Sequence, residues 1–532
     1  MKRVTAQAVT ARLEFCVSTP EIRKASVEAE GAKDAPVPTR IRNIRLVGLA
    51  AGVLGAIIIY NIFPSELSAT FQSALTDAGV ETDRSTIAFV AALAVLMGIW
   101  WMTEAIPLAA TALIPLVAIP FMDIAPMSQV GGSYGSPTIF LFMGGFLLAL
   151  TMQRWNLHVR IALRTVLIIG TKPKKLILGF MVATGFLSMW ISNTATAVMM
   201  LPIGMSVLAL VGTIDSRVGK DSKFGTALML GIAYAASIAS LSTLIGTPPN
   251  ALLRGYLQDN HDTTLNFGTW MLFGIPLAWG FLLIAWWLLT KVYTPEVDEI
   301  PGGRELINER YEALGPMSLQ EKMTGIIFIL AALSWIIIPT FTEWPITDEM
   351  IAMVIALVLF ILPAKPKEGI GLLNWETAKG LPWDVLLLFG GGLALSAAFG
   401  YSGLSLWIGE QAGGLAGIPT ILIVAAIATL VIFLTEMTSN TATAAAFLPI
   451  IGGVAIGMGV DVELLVIPVA LAATCAFMLP VATPPNAIAY GSGYIKIGQM
   501  IRAGIWLNII GIILITLFTM FIGPSILGYS IG

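Results

Sequence analysis

The segment SNTATAVMMLPI, residues 192–203, returns as SNTATAAAFLPI, residues 439–450, with nine of twelve positions identical across an offset of 247 residues. Each copy sets Ser, Asn and Thr inside a strongly apolar run, where an unpaired polar group costs several kcal/mol. A second pair of motifs follows: GTPPN at 246–250 and ATPPN at 482–486. Thr194 and Thr247 are 53 residues apart, Thr441 and Thr483 are 42 apart, and a polar insert near 212–223 supplies the difference. Two copies of one ordered pair of motifs predict a duplicated architecture.

The surrounding composition fixes the medium. Of 532 residues 57% are apolar and 11% charged, and runs such as Leu46–Phe63, Ile87–Met102, Met323–Phe341 and Trp506–Ile522 approach the roughly 20 helical residues that cross a bilayer. The fold class expected is an all-α polytopic membrane protein. The net charge of −3 carries little information, because in such a chain charge matters loop by loop. Residues 1–45 are polar, lack a signal-peptide pattern and predict a disordered cytoplasmic tail. Cys16 and Cys475 fall on segments not expected to meet, and His158 and His261 have no metal-ligand spacing, so neither a disulfide framework nor a transition-metal site is expected. HExxH, a His or Cys nucleophile system and paired membrane aspartates are all lacking, which argues against an enzyme. No nucleic-acid partner is expected.

With the tail inside, 27 of the 29 basic residues fall on the cytoplasmic side and only Arg84 and Arg254 outside, as the positive-inside rule requires. This holds if both SNT segments enter and leave on one side, so they are predicted as re-entrant hairpins. The first, about 176–210, opens to the cytoplasm, and the second, about 418–457, to the outside. The polar stretch 294–322 reads as a cytoplasmic linker between 46–293 and 323–532. Within those halves, 105–122 parallels 345–363, and FLFMGGFLLAL (140–150) parallels LLLFGGGLALS (386–396), while the first segment, 46–63, has no partner. Opposite hairpin orientations make this an inverted repeat, an architecture common among secondary transporters.

Thr-Pro-Pro-Asn interrupts a helix by mechanism. Thr247 is a candidate cap for a new half-helix, and Pro248 suits its first helical position. The prolines cannot bond back to the carbonyls of 244–245 or 480–481, so those oxygens need another partner. Ser188, Ser192, Asn193 and the Gly246 carbonyl form an all-oxygen donor set suited to a hard alkali cation such as sodium. Thr435, Thr438, Asn440 and the Ala482 carbonyl form a second. Between them the starts of four helices offer free N–H groups and positive dipole ends, a site for an anion. Asn193, Thr194, Thr247, Asn440, Thr441 and Thr483 add side-chain donors, and two facing clusters suit a small dicarboxylate. The motifs themselves contain no Lys or Arg. A single SNT would be explained by ordinary Ser and Thr bonding between membrane helices, but a double SNT with a double TPPN is not. The glycine pairs near 144 and 391 suit close helix packing. Glu436, opposite Met189 in the first copy, has three candidate roles: proton carrier, cation tuning or pairing within the fold.

On both SNTATA tips, both TPPN breaks, WWMTEAIPLAATALIP (100–115) and LPWDVLLLFGGGLAL (381–395), residues 46–530 resemble the divalent anion/sodium symporter family of dicarboxylate and citrate transporters. The resemblance implies about eleven transmembrane helices plus two hairpins, scaffold and transport domains moving as an elevator, and a homodimer in the bacterial inner membrane with its C-terminus outside. It assigns one sodium to Ser188, Ser192, Asn193 and Gly246 and another to Thr435, Thr438, Asn440 and Ala482. Substrate carboxylates fall to Ser192, Asn193, Thr194, Ser439, Asn440 and Thr441 with Thr247, Pro248, Thr483 and Pro484. The function expected is sodium-coupled import of succinate, malate and fumarate, with a dicarboxylate exchanger, or a citrate or sulfate carrier, as the alternatives.

Overall fold

A computed structural model describes residues 39–531, apart from 171, 215–217, 220, 221, 301, 343 and 416. Most of the tail expected at 1–45, with Cys16, lies outside the described residues. Residues 39–45 do not belong to a tail, because the first helix already begins at Thr39 and runs to Ile62. Among the described residues ten helices are long and apolar enough to cross a membrane, and shorter apolar helices accompany them. The two strands, Pro363–Lys365 and Ile370–Gly371, form a single small antiparallel pair.

The duplicated order is plain in the succession of helices. Leu108–Thr111 and Ile114–Phe121 correspond to Asp348–Ile361, and Pro137–Arg154 corresponds to Trp383–Tyr401. The hairpin Pro173–Ser188 and Asn193–Ile214 corresponds to Thr420–Thr435 and Asn440–Met458. The broken helix Lys223–Ser240 and Pro248–His261 corresponds to Val462–Thr474 and Pro484–Gly491, and Phe267–Val292 to Ile497–Leu517. The leading halves of both broken helices are buried along nearly their whole length and form the centre of the molecule. Large apolar side chains such as Val117, Phe121, Leu272 and Ile361 stay exposed on outer helices, as a hydrocarbon surround permits.

The halves interlock. A Cβ on Gly144 would lie 2.6 Å from the Ala352 carbonyl oxygen, and one on Gly391 would lie 2.3 Å from that of Ala112. Ala112 and Ala352 hold the same place in the two repeats, so each half leans its glycine helix on the other's opening helix. Without a hydrophobic drive between helices in lipid, such backbone approach is what supplies packing energy.

The buried arginines of the fold are paired. Arg254, 1% exposed, sits 2.9 Å from Glu349 and 3.9 Å from Asp348. It also donates to Thr138 Oγ1 and the Leu265 carbonyl. The linker is more ordered than a simple connector. It carries the helix Gly303–Ala313, and Glu296 accepts from the amides of Lys223 and Phe224, capping the first broken helix. At its end Glu321 closes a capping box with Ser318 and pairs with Arg160 at 2.7 Å.

Candidate functional site

Both SNT motifs form the turns of helical hairpins. In the first, the chain leaves helix at Ser188, turns through 189–192 and re-enters at Asn193. Ser188 Oγ donates to Asn193 Oδ1 at 2.5 Å, and Asn193 Nδ2 donates to Ser240 Oγ at 3.3 Å. In the second, Thr435 Oγ1 lies 2.8 Å from Asn440 Oδ1 and 2.8 Å from the Ala473 carbonyl. One hydroxyl proton serves only one acceptor at a time, so that cluster always holds close oxygens with lone pairs to spare. Thr438 Oγ1 is 2.7 Å from Thr443 Oγ1 and bonds the Leu434 carbonyl. A hydroxyl reaching the asparagine five residues on is thus common to both tips.

The serines at the tips differ. Ser192 Oγ accepts from the Ala195 amide, a local helix cap, whereas Ser439 makes no side-chain cap. Ser192 and Thr194 are exposed, Asn193 is half-buried, and Thr441 is 9% exposed. Ser188 and Thr435 are fully buried, with Ala482 nearly so. Gly246 lies so close to its own loop that a Cβ there would come within 2.3 Å of the Ser240 carbonyl oxygen and 3.0 Å of Thr243 Oγ1. Thr243 Oγ1 in turn donates to the Met189 carbonyl at 2.6 Å, tying the break to the hairpin tip.

The two TPPN breaks start helices at Pro248 and Pro484. Thr483 Oγ1 caps the Asn486 amide at 3.3 Å, whereas the cap expected at Thr247 does not form. Thr247 occupies the same backbone position but makes no side-chain cap, and its hydroxyl meets Thr474 Oγ1 of the other half at 3.2 Å. The expected free N–H groups are not found at all four helix starts. Prolines at the first two helical positions remove two donors from each TPPN helix, and the Asn250 and Asn486 amides are already bonded. Among the described residues, unpartnered amides remain at Asn193, Thr194, Asn440, Thr441 and Ala442, so the hairpin tips carry the amide donors and the TPPN side contributes hydroxyls and proline rings.

All four motifs converge on one cavity of about 960 Å³. Ser192, Asn193, Thr194, Gly246, Thr247 and Pro248 line it from the first half, and Thr438, Ser439, Asn440, Thr441, Ala482, Thr483 and Pro484 from the second. Ser188 and Thr435 stand behind this lining, in contact with it through their asparagines. The cavity extends to Arg45, Glu104 and Asp384. Arg45 and Glu104 are 3.9 Å apart and partly exposed, and Glu104 ends its helix with a positive φ of 46°.

Two residue sets escaped the sequence-based reading. Asn250 and Asn486, the last letters of the TPPN motifs, are fully buried and bond loop carbonyls in both halves; their repetition was the available clue. Asn508 donates to Glu436 at 2.8 Å, and nothing in the sequence marks it. Glu436 also accepts from the amides of Phe477, Met478 and Leu479. Every neighbour is a donor, which suits the acceptor-only, ionised carboxylate and favours pairing within the fold among its three candidate roles.

The chain is similar to several known transporters. The sodium-dependent dicarboxylate transporter SdcS of Staphylococcus saprophyticus is 42% identical over 498 residues, covering 92% of this chain and 93% of the relative. SdcS of Staphylococcus aureus strain MRSA252 is 46% identical over 454 residues, covering 84% and 87%. The solved structure of Neisseria gonorrhoeae MtrF, described as illuminating a class of antimetabolite efflux pumps, superposes with a TM-score of 0.50 at 14% identity. It covers 92% of this chain and 97% of MtrF, a likeness of fold alone. The family model described as the sodium:sulfate symporter transmembrane region matches residues 78–528, and the chain therefore belongs to the sodium:sulfate symporter family, the divalent anion/sodium symporters that its paired motifs resemble.

Proposed function

We propose that this protein imports C4 dicarboxylates such as succinate, malate and fumarate by coupling them to sodium entering in the same direction. The observation that carries the reading is the convergence of both SNT tips and both TPPN breaks on one cavity. The hairpin tips bring unpartnered amides to a common space and the TPPN side adds hydroxyls, donors that suit the two carboxylates of one guest. The buried hydroxyl and amide oxygens at each tip fit a hard alkali ion, sodium being cargo here as much as substrate is. A cation at each tip adds positive charge beside the anion, so each ligand strengthens the other's binding, and such reciprocal coupling is the basis of symport. The names of the two staphylococcal relatives support both halves of this reading.

The distribution of basic residues supports a cytoplasmic N-terminus and an outside C-terminus. On that assignment the end of the cavity lined by Arg45, Glu104 and Asp384 lies toward the cytoplasm. We infer a homodimer in a bacterial plasma membrane, with an elevator movement of the motif-bearing elements, from family resemblance.

Uptake of labelled succinate into proteoliposomes tests this. An inward sodium gradient should drive accumulation that potassium does not support. Sodium-independent uptake requiring internal dicarboxylate would instead identify an exchanger. Stronger competition by sulfate or citrate than by malate would reassign the substrate.

A further inference from the structure

Asn250 and Asn486 occupy the same position after the double proline, both with no exposed surface. Asn250 Nδ2 donates to the carbonyls of Thr243 at 2.9 Å and Leu241 at 3.4 Å. Asn486 Nδ2 donates to those of Ala476 at 3.0 Å and Leu479 at 3.2 Å. Each side chain thus reaches back across the unwound loop and gathers two of its carbonyls. In both halves the amide oxygen, Oδ1, is buried without a donor among the described residues. Turning the amide over would press that oxygen against two carbonyl oxygens, so the observed orientation is fixed by chemistry. Keeping a buried acceptor unpartnered is unfavourable, and both halves accept that cost where two donors reach the loop.

The loop held this way ends at Gly246 in one half and Ala482 in the other. Resting on the cation sites of the proposed function, we propose that Asn250 and Asn486 are their positioning residues. Each fixes the path of the loop whose last residue turns a backbone carbonyl toward the ion. Neither side chain is required to touch sodium or substrate. Thr243 shows how the shape is transmitted: its carbonyl is held by Asn250 while its hydroxyl holds Met189 in the hairpin tip. In the second half Leu479 is held at its carbonyl by Asn486 and at its amide by Glu436.

The test uses the full-length protein, purified and reconstituted, with Asn250→Asp, Asn250→Ser, Asn486→Asp and Asn486→Ser. Asp keeps the shape and sets a carboxylate against the carbonyls, whereas Ser keeps one donor. The half-saturating sodium for succinate uptake should rise about tenfold in the Asp variants and less in the Ser variants, with succinate KM at saturating sodium within about twofold of wild type. Excess sodium should restore the maximal rate, and without succinate the midpoint of sodium-dependent thermal stabilisation should shift in parallel. A folded variant with an unchanged sodium response overturns the proposal. So does an equal loss in sodium response and succinate KM, or failure of all four variants to fold at any sodium concentration, which would make the side chains merely structural. A wild-type protein without a sodium response would instead defeat the proposed function itself.

Discussion

In the first break the chain unwinds gradually. Past Ser240, the amides of Leu241 and Ser242 still donate to the carbonyls of Ile238 and Ala239, so the helix tightens before it opens. In the second the helix stops at Thr474, and after Cys475 the next amides turn away from it. Those of Phe477, Met478 and Leu479 converge on the Glu436 carboxylate, which Asn508 also holds. The first half has Met189 at the matching position, and there the amides of Leu241 and Ser242, the counterparts of Phe477 and Met478, stay bonded to their own helix. A buried carboxylate thus accompanies one break and not the other, and the cause lies in where the freed backbone donors point. Two copies of one motif can therefore hold their loops through the same asparagine with different polar inventories around it.

Substitution at Glu436 should break this contrast most sharply. Glu436→Gln replaces an acceptor oxygen with a donor facing amides, and about 3 kcal/mol of stability is expected to be lost. Met189→Leu should cost less than about 1.5 kcal/mol. Thermal unfolding of both variants in detergent measures the difference, and equal losses would show that the carboxylate is not what holds the second break. The tip hydroxyls sharpen the comparison. Ser188→Ala and Thr435→Ala should each raise the half-saturating sodium, by about fivefold to tenfold for roughly one lost charge-directed oxygen. Thr435 should show the larger effect because it also reaches Ala473; sodium titration of succinate uptake reads both. The smallest effect belongs to the caps. Thr483→Ala should cost about 1 kcal/mol of stability, as loss of an N-cap does. Thr247→Ala removes no cap and only the contact with Thr474 Oγ1, so it should cost less than Thr483→Ala, and calorimetry of the pair would reverse the assignment if Thr247 proved the costlier.

Much of this was legible in the sequence for physical reasons. Hydropathy gave the medium, the repeated SNTATA gave the duplication, and consecutive prolines gave the broken helices, because each is a local rule that tertiary context does not override. The meeting of the four motifs followed from the inverted repeat. What stayed hidden were consequences of geometry. No pattern tells that Thr247 leaves its own helix uncapped to meet Thr474, or that two prolines at a helix start remove the very amides a helix start is expected to offer. Asn508 lies 72 residues from Glu436, in a helix whose composition announces only lipid. The linker's ties were hidden too, because the partners of Glu296 and Glu321, the Lys223 and Phe224 amides and Arg160, lie far along the chain.

The exchange of glycine contacts, Gly144 onto Ala352 and Gly391 onto Ala112, has a developmental meaning for the newly made chain. Neither duplicate can reach its final shape while the other is still on the ribosome, since each rests a wall on its sibling. Two separately synthesised fragments, cut within 294–322, would have to find one another in the bilayer before either became compact.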